Sequence, residues 1–193
     1  TIIDASASPT TVLPMVPLRD IVIFPNQSSS FLVGRKKSLS ALIEAMGGDK
    51  TVFLATQKKT DIEDPLDSEI IRYGTVGEIR DLIHLPDGTA KAVVEGKSRA
   101  RVRRILADEN FSRAEIERFE EPKAAAVEAT ALCRSVIRSL GRYAAKNEQF
   151  PKETVNHVAA ITDPSQLSDA VAAKIPFQFE DLQRLLETPD ACQ

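Results

Sequence analysis

Residues 85–105 read LPDGTAKAVVEGKSRARVRRI, and the fold depends on whether Gly96-Lys97-Ser98 ends a phosphate loop or belongs to a strand. A phosphate-binding loop needs Gly-x-x-x-x-Gly-Lys-[Ser/Thr] between a strand and a helix, so that backbone amides and the helix N-terminus face the phosphate. Counting back from Gly96 puts Lys91 where the first glycine belongs. The odd positions Glu95, Lys97, Arg99, Arg101 and Arg103 are charged, and the even positions Val94, Gly96, Ser98, Ala100 and Val102 are small or apolar. That alternation predicts a strand with one wet face. Pro86-Asp87-Gly88, flanked by extended runs, predicts the hairpin turn leading into it. Arg99, Arg101 and Arg103 are therefore expected on a solvated face. A row of cations also suits phosphate, but no aromatic residues are interleaved for base stacking. Weak DNA binding remains a secondary expectation.

Outward from this hairpin, the pattern stays β-rich toward the N-terminus. IVIF (21–24), SSSFLVG (28–34), TVFLAT (51–56), YGTVGEIRDLIHL (73–85) and FSRAEIERFE (111–120) are extended candidates. One helix interrupts them. KSLSALIEAMGG predicts Ser38 as N-cap, a stripe of Leu39, Leu42, Ile43 and Met46, and a stop at Gly47-Gly48. QKKTDIEDPLDSE is a polar loop. Near Glu121-Pro122 the period becomes helical: Ala129, Leu132, Cys133, Val136, Ile137, Leu140, Tyr143 and Ala144 form one stripe. Three shorter helices follow, one opening on Asp163 as N-cap with Pro164 behind it. The expected organisation is a disordered leader at 1–11, a partly closed β subdomain with one helix at 12–121, and a small helical bundle at 122–193 whose last helix is cut off.

The chemistry of catalysis is missing. The chain has two histidines, His84 and His157, and two cysteines, Cys133 and Cys192, without ligand spacing. No GxSxG, HExxH or CxxC occurs. No catalytic, cofactor-binding or metal-binding residue is assigned. A net charge of −3 over 193 residues gives no global attraction to nucleic acid. No apolar run approaches the roughly 20 residues of a membrane span, so no membrane partner is expected and the cytoplasm is the default location. Arg35, Lys36 and Lys37 stand before a helix, where cations oppose the helix dipole. With no evident stabilising role, they form with Phe31 and Leu32 the candidate surface for unfolded chains; a solubilising turn is the alternative.

LPMVPLRDIVIFP, FLVGRKKS, FLATQK, YGTVGEI, LPDGTAKAVVEGKSRARV and IPFQFEDLQRLLE, in this order from about Leu13 to Leu186, resemble the N-terminal domain of the Lon protease family. The resemblance implies a PUA-like β subdomain followed by a helical one, an α+β fold. It implies a substrate-recognition module that hands misfolded, damaged or regulatory proteins to an ATP-driven serine protease. The ATPase and Ser–Lys protease modules, with their ATP and Mg, would lie elsewhere in a parent chain that assembles as a homo-hexamer. A structural role in the hexamer and nucleic-acid binding are the alternatives. The family often has Glu where this chain has Lys36, which reverses a charge within the candidate surface.

The chain is expected to show neither peptidase nor ATPase activity. Casein and ATP incubated with the pure protein should turn over at the background rate. Activity that follows the chain through purification would contradict this.

Overall fold

A computed structural model describes residues 10–119, 126–188 and 190. The chain divides into two compact units, Thr1–Phe119 and Glu120–Gln193. The first is built on a sheet and the second on helices, an α+β architecture. The first contains β1 (Thr10–Leu18), β2 (Ser28–Val33), α1 (Lys36–Gly47), β3 (Thr51–Gln57), β4 (Ile70–His84), β5 (Ala90–Leu106) and β6 (Arg113–Arg118). The second contains α2 (Ala126–Lys146), α3 (Lys152–Ala159), α4 (Pro164–Ala172) and α5 (Phe179–Glu187).

The hairpin read from the sequence joins the two longest strands. Gly88 takes φ +84°, a conformation that costs a glycine little. The Asp87 carboxylate accepts from the Thr89 backbone N–H at 2.9 Å and its hydroxyl at 2.7 Å, which fixes the turn. β4 then pairs antiparallel with β5 from Tyr73↔Arg101 to His84↔Ala90. The other edge of β5 is divided: β2 takes residues 90–95 and β6 takes residues 100–106. β6 continues to β1, β1 pairs in parallel with β3, and β3 pairs with β4. Strands β5, β4, β3, β1 and β6 therefore close into a ring, with β2 added beside β5.

Between the β2 and β6 stretches, the segment Phe24–Gln27 lies against β5 at Gly96. Asn26 N donates to Gly96 O at 2.9 Å, and Gly96 N donates to Gln27 O at 2.9 Å. A Cβ on Gly96 would stand 2.1 Å from the Phe24 carbonyl oxygen. The glycine of Gly-Lys-Ser is thus required by a close backbone approach inside a sheet.

Alternating side chains feed two apolar clusters. Val16, Leu18, Val52, Leu54, Ala92 and Val94 point to one, where α1 covers them with Ala41, Leu42 and Ala45. Leu13, Met15, Phe53, Val76, Val102 and Ile116 point to the other. β1 and β3 are buried on both faces, which fixes their register. In the helical unit, Leu140, Ala144, Phe150, Val158, Leu167 and Ala170 form the core, and Tyr143 meets the Phe150 ring edge-on at 5.3 Å. Asp163 caps α4 by accepting from Gln166 N at 2.9 Å.

Several expectations need correction. Of the expected leader 1–11, residues 1–9 lie outside the described residues, and Thr10 and Thr11 already pair with Glu117 and Ile116 in β1. β1 carries Pro14 and Pro17, which argue against a strand. Here its first half pairs with β6 and its second half with β3, so no long ladder of donors is demanded. IVIF (21–24) is not a strand. Two of its carbonyls accept from hydroxyls, Thr56 Oγ1 donating to Ile21 O at 2.8 Å and Thr75 Oγ1 to Ile23 O at 2.5 Å. α1 starts earlier than expected, with Arg35 at the N-cap position, so Ser38 is a buried residue of the first turn. Ile43 is exposed, and Ala41 and Ala45 take the buried stripe. α5 spans Phe179–Glu187, and the Thr188 hydroxyl donates to Arg184 O at 2.8 Å.

Gly96→Ala is expected to destabilise the β unit by about 3 kcal/mol, because a backbone carbonyl cannot swing aside as a side chain can. The denaturant midpoint measures it. A loss below about 1 kcal/mol would show that the segment at Phe24 is free to move.

Candidate functional site

The five residues singled out from the sequence behave differently from one another. Neighbours on a strand face opposite ways, so Phe31 and Leu32 separate. Phe31 faces the core at 6 % exposure, while Leu32 is 70 % exposed. Phe31 is therefore mostly buried in the core rather than exposed beside Leu32, although it also forms part of the lining of the cleft described below. Arg35 is also not a free cation. Its guanidinium donates to Gln57 Oε1 at 2.9 Å, Pro17 O at 2.9 Å and Glu63 O at 3.1 Å. Burial first, and then the nearby Arg19, lower its pKa from the ordinary value, against the pull of Glu63 and Asp64. Arg35 ties β1, β3 and the 58–69 loop to the start of α1, a folding role that the sequence did not reveal. Lys37 pairs with Asp64 at 2.6 Å. Lys36 is exposed and has no ion-pair partner among the described residues.

The loop was read only as polar. It supplies the anions that relieve the unfavourable charge at the helix N-terminus. Arg19 reaches Glu63 at 2.7 Å, and Gln57 Nε2 holds Ile62 O at 3.0 Å. The signal was present in the acidic run Asp61, Glu63 and Asp64, but nothing local says which cations it meets.

Beside this strap lies a cleft of about 350 Å³ lined by Val16, Leu18, Ile21, Leu32, Arg35 and Glu63, among others. A second depression of about 420 Å³ lies on the Lys36–Lys37 side, with Asp64 and Pro65. The exposed lining of the cleft is divided about evenly between polar and apolar surface, that of the second depression is mostly apolar, and charged side chains stand at both. Such a surface can hold an apolar side chain while lysines contact polar or acidic groups around it. It carries no paired nucleophile and base.

The arginine row is largely part of the scaffold. Arg99, expected in water, is 5 % exposed. The register slips between Val76↔Ser98 and Gly77↔Gly96, leaving Lys97 as an extra residue on β5. Beyond such a bulge the alternation no longer tracks the faces. Arg101 lies over the Tyr73 ring at 5.7 Å, and Arg103 pairs with Glu117 at 3.0 Å. Lys97, which a phosphate loop would aim at its ligand, pairs instead with Glu95 at 2.9 Å and Glu78 at 3.1 Å. Arg80 joins the same group, with Nε donating to Glu95 at 2.7 Å. His84 and His157 are exposed. Among the described residues no cluster of His, Cys, Asp or Glu could hold a metal ion, and no helix is long and apolar enough to cross a membrane.

Comparison with known proteins decides the family. The family model of the ATP-dependent protease La (LON) substrate-binding domain matches residues 12–193. The chain belongs to this family. Lon protease 1 of Syntrophobacter fumaroxidans is 41 % identical over 185 residues, covering 96 % of this chain and 23 % of that protein. Lon protease 3 of Sorangium cellulosum is 40 % identical over 177 residues, covering 91 % of this chain and 21 % of that protein. The Lon domain described here thus spans about a fifth of the length of these relatives. The N-terminal domain of a Mycobacterium avium complex Lon protease superposes with a TM-score of 0.75 at 19 % identity, over 94 % of this chain and 92 % of that one. A Lon N-terminal domain protein from Xanthomonas campestris gives a TM-score of 0.66 at 18 % identity, with the same coverage. These two structures bear on the fold, and the fold is that of a Lon N-terminal domain. The chain corresponds to the substrate-recognition region of Lon proteases.

The charge group on β4 and β5 yields a pH prediction. Hydrogen bonds from Lys97 and then Arg80 hold the Glu95 carboxyl below its ordinary value of 4.5. A depressed folded-state pKa contributes stability above the unfolded-state value, and that contribution disappears as pH falls through the folded-state value. The difference in Tm between the parent chain and Glu95→Gln is therefore expected to be constant above pH 4.5 and to shrink below it. A difference independent of pH down to acid unfolding would contradict the pairing.

Proposed function

We propose that this Lon domain captures unfolded or damaged protein segments through the cleft beside Leu32 and delivers them to ATPase and protease modules of a longer chain. The observation that carries the reading is Leu32: a leucine 70 % exposed, on the lining of a cleft whose surface is part apolar and part polar. Water contact by such a side chain is unfavourable, and it gives a partner something to cover. Lys36 at the neighbouring depression suits acidic stretches next to apolar ones, beside Lys37, which is held by Asp64. Segments held this way would exchange quickly, which suits varied clients. A homo-hexamer would compensate for weak single contacts by presenting several copies.

In this reading ATP and Mg serve the ATPase module, and the location is the cytoplasm. The ring of β5, β4, β3, β1 and β6 with α1 against it is of the PUA-like type. Nucleic-acid binding through the arginine row loses support from the burial of Arg99 and the pairing of Arg103.

The test uses Leu32→Ser and Lys36→Ala together, leaving Arg35 in place because of its structural bonds. Binding to reduced, carboxymethylated lactalbumin is measured by anisotropy. The double variant is expected to bind roughly tenfold more weakly, since an apolar contact of this size is worth about 1.5 kcal/mol. Unchanged affinity in a variant with unchanged circular dichroism would remove the cleft from the mechanism.

A further inference from the structure

We infer that the helical unit carries a second docking groove, selective for an acidic amphipathic helical segment of a partly unfolded protein. The inference rests on the capture reading above and adds a charge-selective site to it.

α2 has apolar residues on more of its circumference than its own core uses. Leu140 and Ala144 pack inward, whereas Leu132 and Val136 remain 40 % and 37 % exposed. Both lie on a cleft of about 580 Å³ whose other lining includes Val171, Ile175, Phe177 and Leu185. Phe177 is also substantially exposed. A groove with so much aliphatic surface is the arrangement that receives the apolar face of a helix. From Leu132 to Tyr143 the α2 wall runs about 16 Å at 1.5 Å per residue, room for three turns of a partner.

The charge along the rim selects the partner. Arg134, Arg138, Arg142 and Lys146 recur every fourth residue and are all exposed, so they form one strip along α2. Ser135 and Ser139, which line the groove, precede Arg138 and Arg142 by three residues, so the strip borders it. Arg142 Nη2 donates to Ser139 Oγ at 3.1 Å, linking the two directly. None of the four cations has an ion-pair partner among the described residues. In the β unit, by contrast, Arg19, Lys37, Arg72, Arg80, Lys97, Arg103 and Arg113 are all paired. A partner helix with leucines at i, i+4 and i+7 and a glutamate on each turn of one flank satisfies groove and strip together. A nucleic acid would meet the cations but leave the aliphatic floor uncovered.

Two labelled three-turn peptides test this, both with the same leucine pattern, one with glutamate and one with lysine on the flank. Anisotropy is measured with the whole chain, beside carboxymethylated lactalbumin and a short DNA duplex. The glutamate peptide is expected to bind roughly tenfold more tightly at low salt, with the ratio shrinking at high salt. Arg134→Gln, Arg138→Gln and Arg142→Gln combined should remove that preference by weakening the glutamate peptide and relieving the repulsion of the lysine peptide, while Val136→Asp should weaken the glutamate peptide further. Equal affinity for the two peptides, or a preference that survives the triple change, overturns the proposal. DNA binding lost in the triple variant without peptide selectivity would make the strip a phosphate surface and overturn it equally. If lactalbumin binds the triple variant as it binds the parent and neither protein discriminates between the peptides, the groove fails and the capture reading stands. If the parent binds no lactalbumin, the capture reading itself fails.

Discussion

Strand β5 pairs with β4 from Ala90 to Arg101 on one side and shares the other side between β2 and β6. A strand with two successive neighbours on one edge must carry a change-over, and here it lies at residues 96–99. The gap is filled by backbone from Phe24–Gln27, which needs a residue without a side chain opposite it. Ring closure, the position of β2 and the route of the chain into α1 all follow from that arrangement. The Leu32 cleft exists because β2 is held beside β5 with alternate residues turned outward.

The second constraint is electrostatic. A helix that begins at Lys36 and Lys37 would suffer from its own dipole if those charges stood alone. The chain answers with a loop of acids that folds back onto Arg19, Arg35 and Lys37. The same bonds place Glu63 and Asp64 on the rim of the two depressions. The side chains that fasten the loop therefore also line the two depressions at this end of the β unit. Arg35 is the clearest case: it lines both depressions, yet its bonds are internal.

Much of the fold was legible where local pattern and tertiary environment agree. The Pro-Asp-Gly turn, the strands beside it and the cap at Asp163 need only neighbours in sequence. β1 was not legible, because Pro14 and Pro17 oppose a strand and only the split pairing with β6 and β3 permits one. Arg99 was misplaced because a bulge shifts the alternation, and a bulge is visible only when the partner strand is known. Of the candidate site, Leu32 and the lysines were legible as unusual residues in an exposed position. The burial of Phe31 and the strap at Arg35 were not, since both depend on segments distant in the chain. On α2, the helical stripe identified Leu132 and Val136 as apolar without telling which of the stripe's residues the bundle would cover.

The pairing of Thr10–Pro14 with Arg113–Glu117 joins the two ends of the β unit. On a ribosome, β1 emerges first and its antiparallel partner last. About 100 residues separate them, so at roughly 5–20 residues per second the first strand waits on the order of 5–20 seconds for its neighbour. The ring cannot close during that interval, and the parallel contact of β1 with β3 must bear the exposed edge alone. High sequence separation of this kind slows folding and prolongs aggregation risk. The β unit is thus itself an unfinished chain for seconds, and its newly made copies are candidates for chaperone protection until β6 arrives.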